Sequence, residues 1–374
     1  MTKTRIETEL VQLGNQSDPK TGAVNPPIYL STAYKHAGLG QSTGYDYTRT
    51  KNPTRTILEE GIAKLEGGDA GFACSSGMAA IQLILSLFRS GDEIIALADL
   101  YGGTYRLFNQ YADSYNICTS YAKFESVEEV ESFITEHTKA LFIETPTNPL
   151  MQEIDLTRYG ILAKKHNLLL IVDNTFLTPY LQRPIEYGAD IVIHSGTKYI
   201  GGHNDVLAGL VVAKSEALST QLFSNHNASG AVLSPFDSWL LIRGLKTLHL
   251  RMKQHDTNAK KIVEFLQHET AVKDVLYPEI GGMLSFRLQK SEWVGPFLES
   301  LQLIIFAESL GGVESFITYP ATQTHADIPE KERIARGIDN SLLRFSVGVE
   351  EVEDLIVDLK QALKKLEGKV KSHA

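Results

Sequence analysis

The sequence predicts an α/β protein with a mostly parallel central sheet and a smaller C-terminal α/β unit. Three observations predict it. Between about residues 65 and 215, short apolar runs alternate with longer amphipathic stretches, which is how βα units read in sequence. Several of those runs are continuously aliphatic, as strands covered on both faces are. Beyond residue 235, a long helical period over 236–266 gives way to the short runs 282–287 and 303–306, which read as strands of a second unit. A chain of 374 residues suits this division, since domains run to about 150 residues.

Taken in order, residues 1–48 hold Pro26-Pro27, Gly38, Gly40, Gly44 and several Tyr and Thr without a long period. They are expected to form an extended arm that packs on something else. The expected strands of the large unit, 49–250, are 94–97, 140–143, 168–172, 191–194 and 209–212, with Phe72-Ala73-Cys74 before them. The C-terminal unit takes 251–374.

Composition narrows the function classes. A formal net charge of −9 provides no positive field to gather nucleic acid or anionic lipid. The longest aliphatic run, 168–172, is strand-sized and far short of a membrane span. The N-terminal residues are polar and partly acidic, so neither a secretory signal nor a transit peptide is expected and the location is cytoplasmic. Cys74 and Cys118 lack CxxC spacing, and His194, His203, His226 and His255 lack ligand spacing, so no metal is expected. The Gly38 to Gly44 cluster lies in the arm, with no strand before it and no helix after it, which is the wrong context for a dinucleotide site.

In an open parallel sheet, ligands bind beyond the carboxyl ends of the strands. Four exits carry chemistry. Cys74 leads into Ser75-Ser76-Gly77-Met78 and a helix start, which suits a phosphate as well as it suits an ordinary serine cap. Val172 leads into Asp173, a carboxylate at the end of a buried strand that needs a cationic partner unless it caps a helix. Ile193 leads into His194-Ser195-Gly196-Thr197-Lys198-Tyr199, an ammonium flanked by hydroxyls rather than by an exposed polar run. Ile143 leads into Glu144-Thr145-Pro146-Thr147-Asn148-Pro149, a rigid turn presenting Asn148. Tyr101, just past another strand, offers a ring to stack. A phosphate cradle, a carboxylate for a protonated ring nitrogen and an amine for a Schiff base are together what pyridoxal phosphate requires.

These motifs, with Tyr45-Asp46-Tyr47-Thr48-Arg49, Asn52-Pro53-Thr54-Arg55, Gly202-His203-Asn204-Asp205, Arg243-Gly244-Leu245-Lys246, Glu308-Ser309-Leu310-Gly311-Gly312 and Leu343-Arg344-Phe345-Ser346, resemble the trans-sulfuration family of pyridoxal phosphate enzymes along nearly the whole chain. The resemblance implies fold type I, the aspartate aminotransferase-like architecture, and pyridoxal 5'-phosphate as cofactor. It implies that Lys198 holds the cofactor and shuttles protons. Asp173 faces the ring nitrogen and Tyr101 stacks on the ring; Ser76, Gly77, Met78, Ser195 and Thr197 hold the phosphate. It further implies that Tyr47 and Arg49 reach the cofactor of a neighbouring subunit, hence a homo-oligomer, a tetramer of active dimers. Arg344 would grip the substrate α-carboxylate, with Ser309 and Asn148 beside it.

Within that family Glu308 is expected to favour γ- over β-chemistry, and Asp46 and Arg106 to hold the acceptor and the acyl group. The expected reaction is γ-replacement on an O-acylhomoserine, the acetyl ester, by cysteine to give cystathionine, or by sulfide to give homocysteine, in methionine biosynthesis. The alternative is a cystathionine γ- or β-lyase, which shares every cofactor residue. The connection Glu279-Ile280 is shorter than the helical segment relatives carry there, resembling firmicute synthases and O-acetylhomoserine sulfhydrylase.

Overall fold

The computed structural model describes residues 4–326 and 328–371, with side chains as far as Leu366. The first three residues, part of the N-terminal reading above, lie outside the described residues, as do the last three of the C-terminal unit. Two compact units result. One comprises everything up to Ala96 with Leu107–Ile143 and Asp155–His249; the other comprises Leu97–Arg106, Glu144–Ile154 and everything from Leu250.

The first unit is built on a seven-stranded sheet. Its strands are β1 (Ala70–Cys74), β2 (Glu93–Leu97), β3 (Cys118–Ala122), β4 (Thr138–Glu144), β5 (Leu169–Asp173), β6 (Ile191–Ser195) and β7 (Gly209–Ala213), in the order β1-β7-β6-β5-β4-β2-β3. β2 is parallel to β4 and β5 to β6, while β7 runs against both its neighbours, β6 and β1. The 13 residues between β6 and β7 form turns and no helix, whereas a parallel return is usually made by a crossover helix. Ile191, Val192, Leu210, Val211 and Val212 are fully buried, which accounts for their unbroken apolar runs. β3 carries no such run because it is the sheet's edge, half-open to solvent, so Cys118-Thr119-Ser120-Tyr121 reads as polar.

The helix Pro53–Glu66 is capped by Asn52, whose side chain accepts from the amides of Thr54 and Arg55, and is ended by Gly67 at φ 78°. Its Arg55 donates to the carbonyls of Thr48 (2.9 Å) and Arg49 (3.1 Å), which ties the arm down. The arm is not wholly extended: it opens with the helix Ile6–Val11 and contributes a single isolated bridge, Ala33 with Tyr47, among the described residues. The long helical period resolves into two helices, Pro235–Lys246 and Leu248–Gln267. The first packs closely on the β6–β7 turn, where a Cβ on Gly244 would lie 2.3 Å from the Ile200 carbonyl.

The second unit carries a five-stranded sheet of β8 (Val272–Leu276), β9 (Met283–Leu288), β10 (Ile305–Phe306), β11 (Phe316–Thr318) and β12 (Leu342–Ser346), ordered β10-β11-β12-β9-β8. All pairings are antiparallel except β10 with β11. The run 303–306 forms only a two-residue, exposed edge strand. No helix intervenes between β8 and β9, where Tyr277 Oη donates to the Gly281 carbonyl at 3.0 Å. Leu284, Phe286, Phe297, Ile317, Leu343, Phe345, Leu355 and Leu359 form its core.

His255 is fully buried in this unit, its Nδ1 2.7 Å from the Val347 carbonyl. Burial holds its pKa down to about 4. A neutral imidazole in the folded state becomes charged on unfolding below about pH 6.5, so its contribution is complete above that value and is lost as pH falls toward 4. His255→Gln is therefore expected to flatten the acid limb of the stability curve. Denaturant titrations of both proteins from pH 7 to pH 4 should converge by up to about 3 kcal/mol. A constant difference between them would contradict this.

Candidate active site

At the β1 exit, Ser76 is fully extended (φ −164°, ψ 165°) and its hydroxyl accepts the Ala79 amide at 3.0 Å. The Ala80 amide goes to the Ser76 carbonyl, which leaves the amides of Gly77 and Met78 directed out of the N-terminal end of helix Gly77–Leu85. Of the two nearby glycines, Gly209 is required by close approach and Gly77 is closely packed. A Cβ on Gly77 would lie 3.2 Å from Ser195 Oγ, and one on Gly209 would meet the Ser76 carbonyl at 2.1 Å. The Ser195 hydroxyl thus stands beside two outward amides at the positive end of a helix, an arrangement that suits a phosphate dianion. Thr197 Oγ1 donates to the Ala208 carbonyl (3.2 Å) and accepts its amide (3.0 Å), so it braces the turn that follows β6.

Lys198 sits half-buried in that turn, its amide bonded to the Ser195 carbonyl and its own carbonyl to the Gly202 amide. Asp173 ends β5, and its Oδ1 accepts the Thr175 amide (3.0 Å) and hydroxyl (2.6 Å). Burial pushes its carboxyl up from the ordinary value, while the Thr175 hydrogen bonds and the His194 charge act the other way. Thr175 also accepts the Ser195 amide at 2.8 Å and so links the two strand ends. Tyr47 and Arg49 lie exposed on the arm, the guanidinium 5.6 Å from the Tyr47 ring centroid and bonded to Asn227 Oδ1 at 2.8 Å rather than to the Ser76–Met78 turn. Asp46 pairs with His36 within the same arm, at 2.8 Å.

The second unit holds the other expected residues. Arg344 is 2% exposed and reaches three neutral oxygens: Asn148 Oδ1 (2.9 Å), the Ser309 carbonyl (3.2 Å) and Thr318 Oγ1 (3.1 Å). A guanidinium stays charged in such surroundings. The Tyr101 amide donates to Glu144 Oε2 at 2.9 Å, and its ring lies over Gly103, where a Cβ would come within 2.4 Å. Burial and then the Glu308 carboxylate push the Tyr101 hydroxyl up from its ordinary value, opposed by Arg106 and Arg344. Glu308 and Arg106 are themselves exposed, and Ser309 is half-buried.

Sequence reasoning missed four residues here: Thr175, Thr318, Glu144 and His325. Thr318 stands opposite Arg344 in the β11–β12 ladder. His325 is 1% exposed and held neutral, its pKa brought down to about 4 by burial and next by the Arg344 charge. Thr318 and His325 lie 26 and 19 positions from Arg344 in sequence, so no local pattern ties them to it.

Among the described residues no helix is long and apolar enough to cross a membrane. The sequence profile of the Cys/Met metabolism PLP-dependent enzymes matches residues 7–364. A cystathionine γ-synthase/O-acetylhomoserine (thiol)-lyase of Bacillus subtilis is 64% identical over 358 residues, covering 96% of each chain. A cystathionine γ-lyase of the same organism is 49% identical, covering 96% of this chain and 99% of the relative. Among solved structures, cystathionine γ-synthase from Xanthomonas oryzae pv. oryzae in complex with cystathionine superposes with a TM-score of 0.96 at 42% identity, over 98% of this chain and 100% of that one.

Proposed function

Because the chain belongs to the family of PLP-dependent enzymes of cysteine and methionine metabolism, we propose that it catalyses γ-replacement on O-acetylhomoserine, with cysteine to give cystathionine and with sulfide to give homocysteine. The observation that carries this choice is the order of similarity: the relative named as synthase and thiol-lyase is closer than the one named as lyase. The fold is that of fold type I. The helix end at Gly77, packed closely against the Ser195 hydroxyl, fits the phosphate of pyridoxal 5'-phosphate.

When bound, the cofactor supplies an electron sink that stabilises negative charge at the substrate α- and β-carbons. The residues do the rest. Lys198 Nζ would hold the cofactor and move the proton at the substrate α-carbon. Asp173 would pair with the ring nitrogen, whose proton would offset the cost of burying the carboxylate. Ser76, Gly77, Met78, Ser195 and Thr197 would hold the phosphate, and Tyr101 and Asn148 would contact the ring. Arg344, braced by Asn148 and Ser309, takes the α-carboxylate in its fork. Glu308 stands near the Tyr101 hydroxyl to serve the γ-carbon, and Arg106 and Asp46 hold the acyl group and the acceptor amino acid. Tyr47 and Arg49 serve a neighbouring subunit's phosphate, which makes the active form a homo-oligomer, a tetramer built of active dimers. The exposed free thiol of Cys118 accords with the reducing cytoplasm.

Purified protein given O-acetylhomoserine with cysteine is expected to release cystathionine, measured by mass spectrometry, and with sulfide to release homocysteine. A lyase would instead turn over cystathionine alone and form no new thioether, and that outcome would replace this function with the second one.

A further inference from the structure

The strand ends that carry Asp173 and the Ser195–Lys198 turn are joined a second time, from behind. β5 and β6 are in parallel register with Asp173 opposite Ile193. Because side chains alternate along strands, the next pair, Asn174 and His194, turns to the opposite face. Both meet Glu66 there, the last residue of helix Pro53–Glu66. Glu66 Oε1 accepts the Asn174 side-chain amide at 3.1 Å and lies 2.7 Å from His194 Nε2. Asn174 is held in turn by Gln182, donating to its carbonyl (2.8 Å) and accepting from its side-chain amide (3.1 Å). Glu66, Asn174 and His194 are all 0% exposed.

Such burial is costly, and packed apolar residues would bridge two strands as well. The pair therefore calls for a role beyond packing. Its placement supplies one: from the face opposite Asp173 it holds together the two strand ends that carry Asp173 and the Ser195–Lys198 turn. The other ionisable side chain at this helix end, Lys64, is exposed and 3.4 Å from Glu9. We infer that Glu66 and His194 are positioning residues for the reaction: they fix the ends of β5 and β6, and with them the placement of Asp173 toward the cofactor's ring. This rests on Asp173 being the partner of the cofactor's ring nitrogen.

The test compares holoenzymes carrying Glu66→Gln, His194→Gln and both. Each single variant is expected to retain lysine-bound cofactor. The pH midpoint of the cofactor's visible absorbance should shift in the same direction in both, by about one unit, and kcat should fall about ten-fold with KM nearly unchanged. The double variant should be no worse than either single one, as befits residues acting as a unit. Lowered melting temperature or cofactor content, with the absorbance titration and the kcat of the loaded fraction unchanged, would show a merely structural pair and overturn the inference. If a Gln variant fails to fold, Asn174→Ser removes one bond to Glu66 and should give a smaller shift of the same sign; no shift counts against it. Asp173→Asn separates the two claims. If it leaves the absorbance titration unaltered, the ring-nitrogen role fails; if it alters the titration while the Glu66 and His194 variants do not, the role of the pair fails.

Discussion

Lys198→Ala is expected to fold normally and lose about four orders of magnitude in turnover, the scale of removing a group that both holds the cofactor and moves a proton. The fold should survive because the bonds that shape this turn are main-chain ones: the Lys198 amide to the Ser195 carbonyl and the Gly202 amide to the Lys198 carbonyl. Alanine keeps both, and the half-buried side chain leaves no sealed cavity behind. Thr197 remains bonded to Ala208 in both directions, so the phosphate-facing part of the turn is held independently of residue 198. Borohydride should fix cofactor onto the native chain at Lys198, located by peptide mass, and onto no residue of the variant. Normal turnover by Lys198→Ala, or reduction at another lysine, would refute the assignment.

Much of the fold and half of the candidate site were legible in the sequence for one physical reason. A strand covered on both faces must be apolar throughout, so the first polar residue after it marks the sheet's rim. Asp173 after Leu169–Val172 stands out on that account, and the polar stretches that open at His194 after Ile191–Ile193, at Ser75 after Phe72–Cys74 and at Glu144 after the β4 run lead to Ser195, Ser76 and Asn148. Where that contrast fails, the pattern fails too. β3 is an edge strand with polar residues, and β10 is two exposed residues. Strand direction leaves no mark in composition, so β7 could not be seen to run against β6. The break at Thr247 leaves the helical period unbroken and so is not marked by it.

The site residues missed by sequence share a different property. Thr175, Thr318 and His325 act on other side chains rather than standing at an exit themselves. Thr175 holds both Asp173 and the Ser195 amide, Thr318 holds Arg344, and His325 shares its surroundings with Arg344 and Asn148. Glu66 is the extreme case. It ends a well-capped helix and reads as an ordinary solvated acid, yet it is fully buried against a strand 128 positions later.

Arg344→Gln is expected to lower kcat/KM for the amino-acid substrate by about 10² to 10³, chiefly through KM. That is the scale of losing a charge-assisted, two-pronged hydrogen bond to a carboxylate in a water-poor site. Glutamine is chosen because it can still donate to Asn148 Oδ1 or Thr318 Oγ1, so the three oxygens around Arg344 are not all abandoned. Arg344→Lys should remain impaired by about ten-fold or more, since an ammonium keeps the charge but not the planar fork that meets both carboxylate oxygens. A substrate whose α-carboxylate is replaced by a carboxamide distinguishes recognition from architecture. The native enzyme should discriminate strongly against the carboxamide, whereas Arg344→Gln should treat the two nearly alike. If the variant kept the native preference for the carboxylate, Arg344 would be a structural cation of β12, and the carboxylate would have to be held elsewhere.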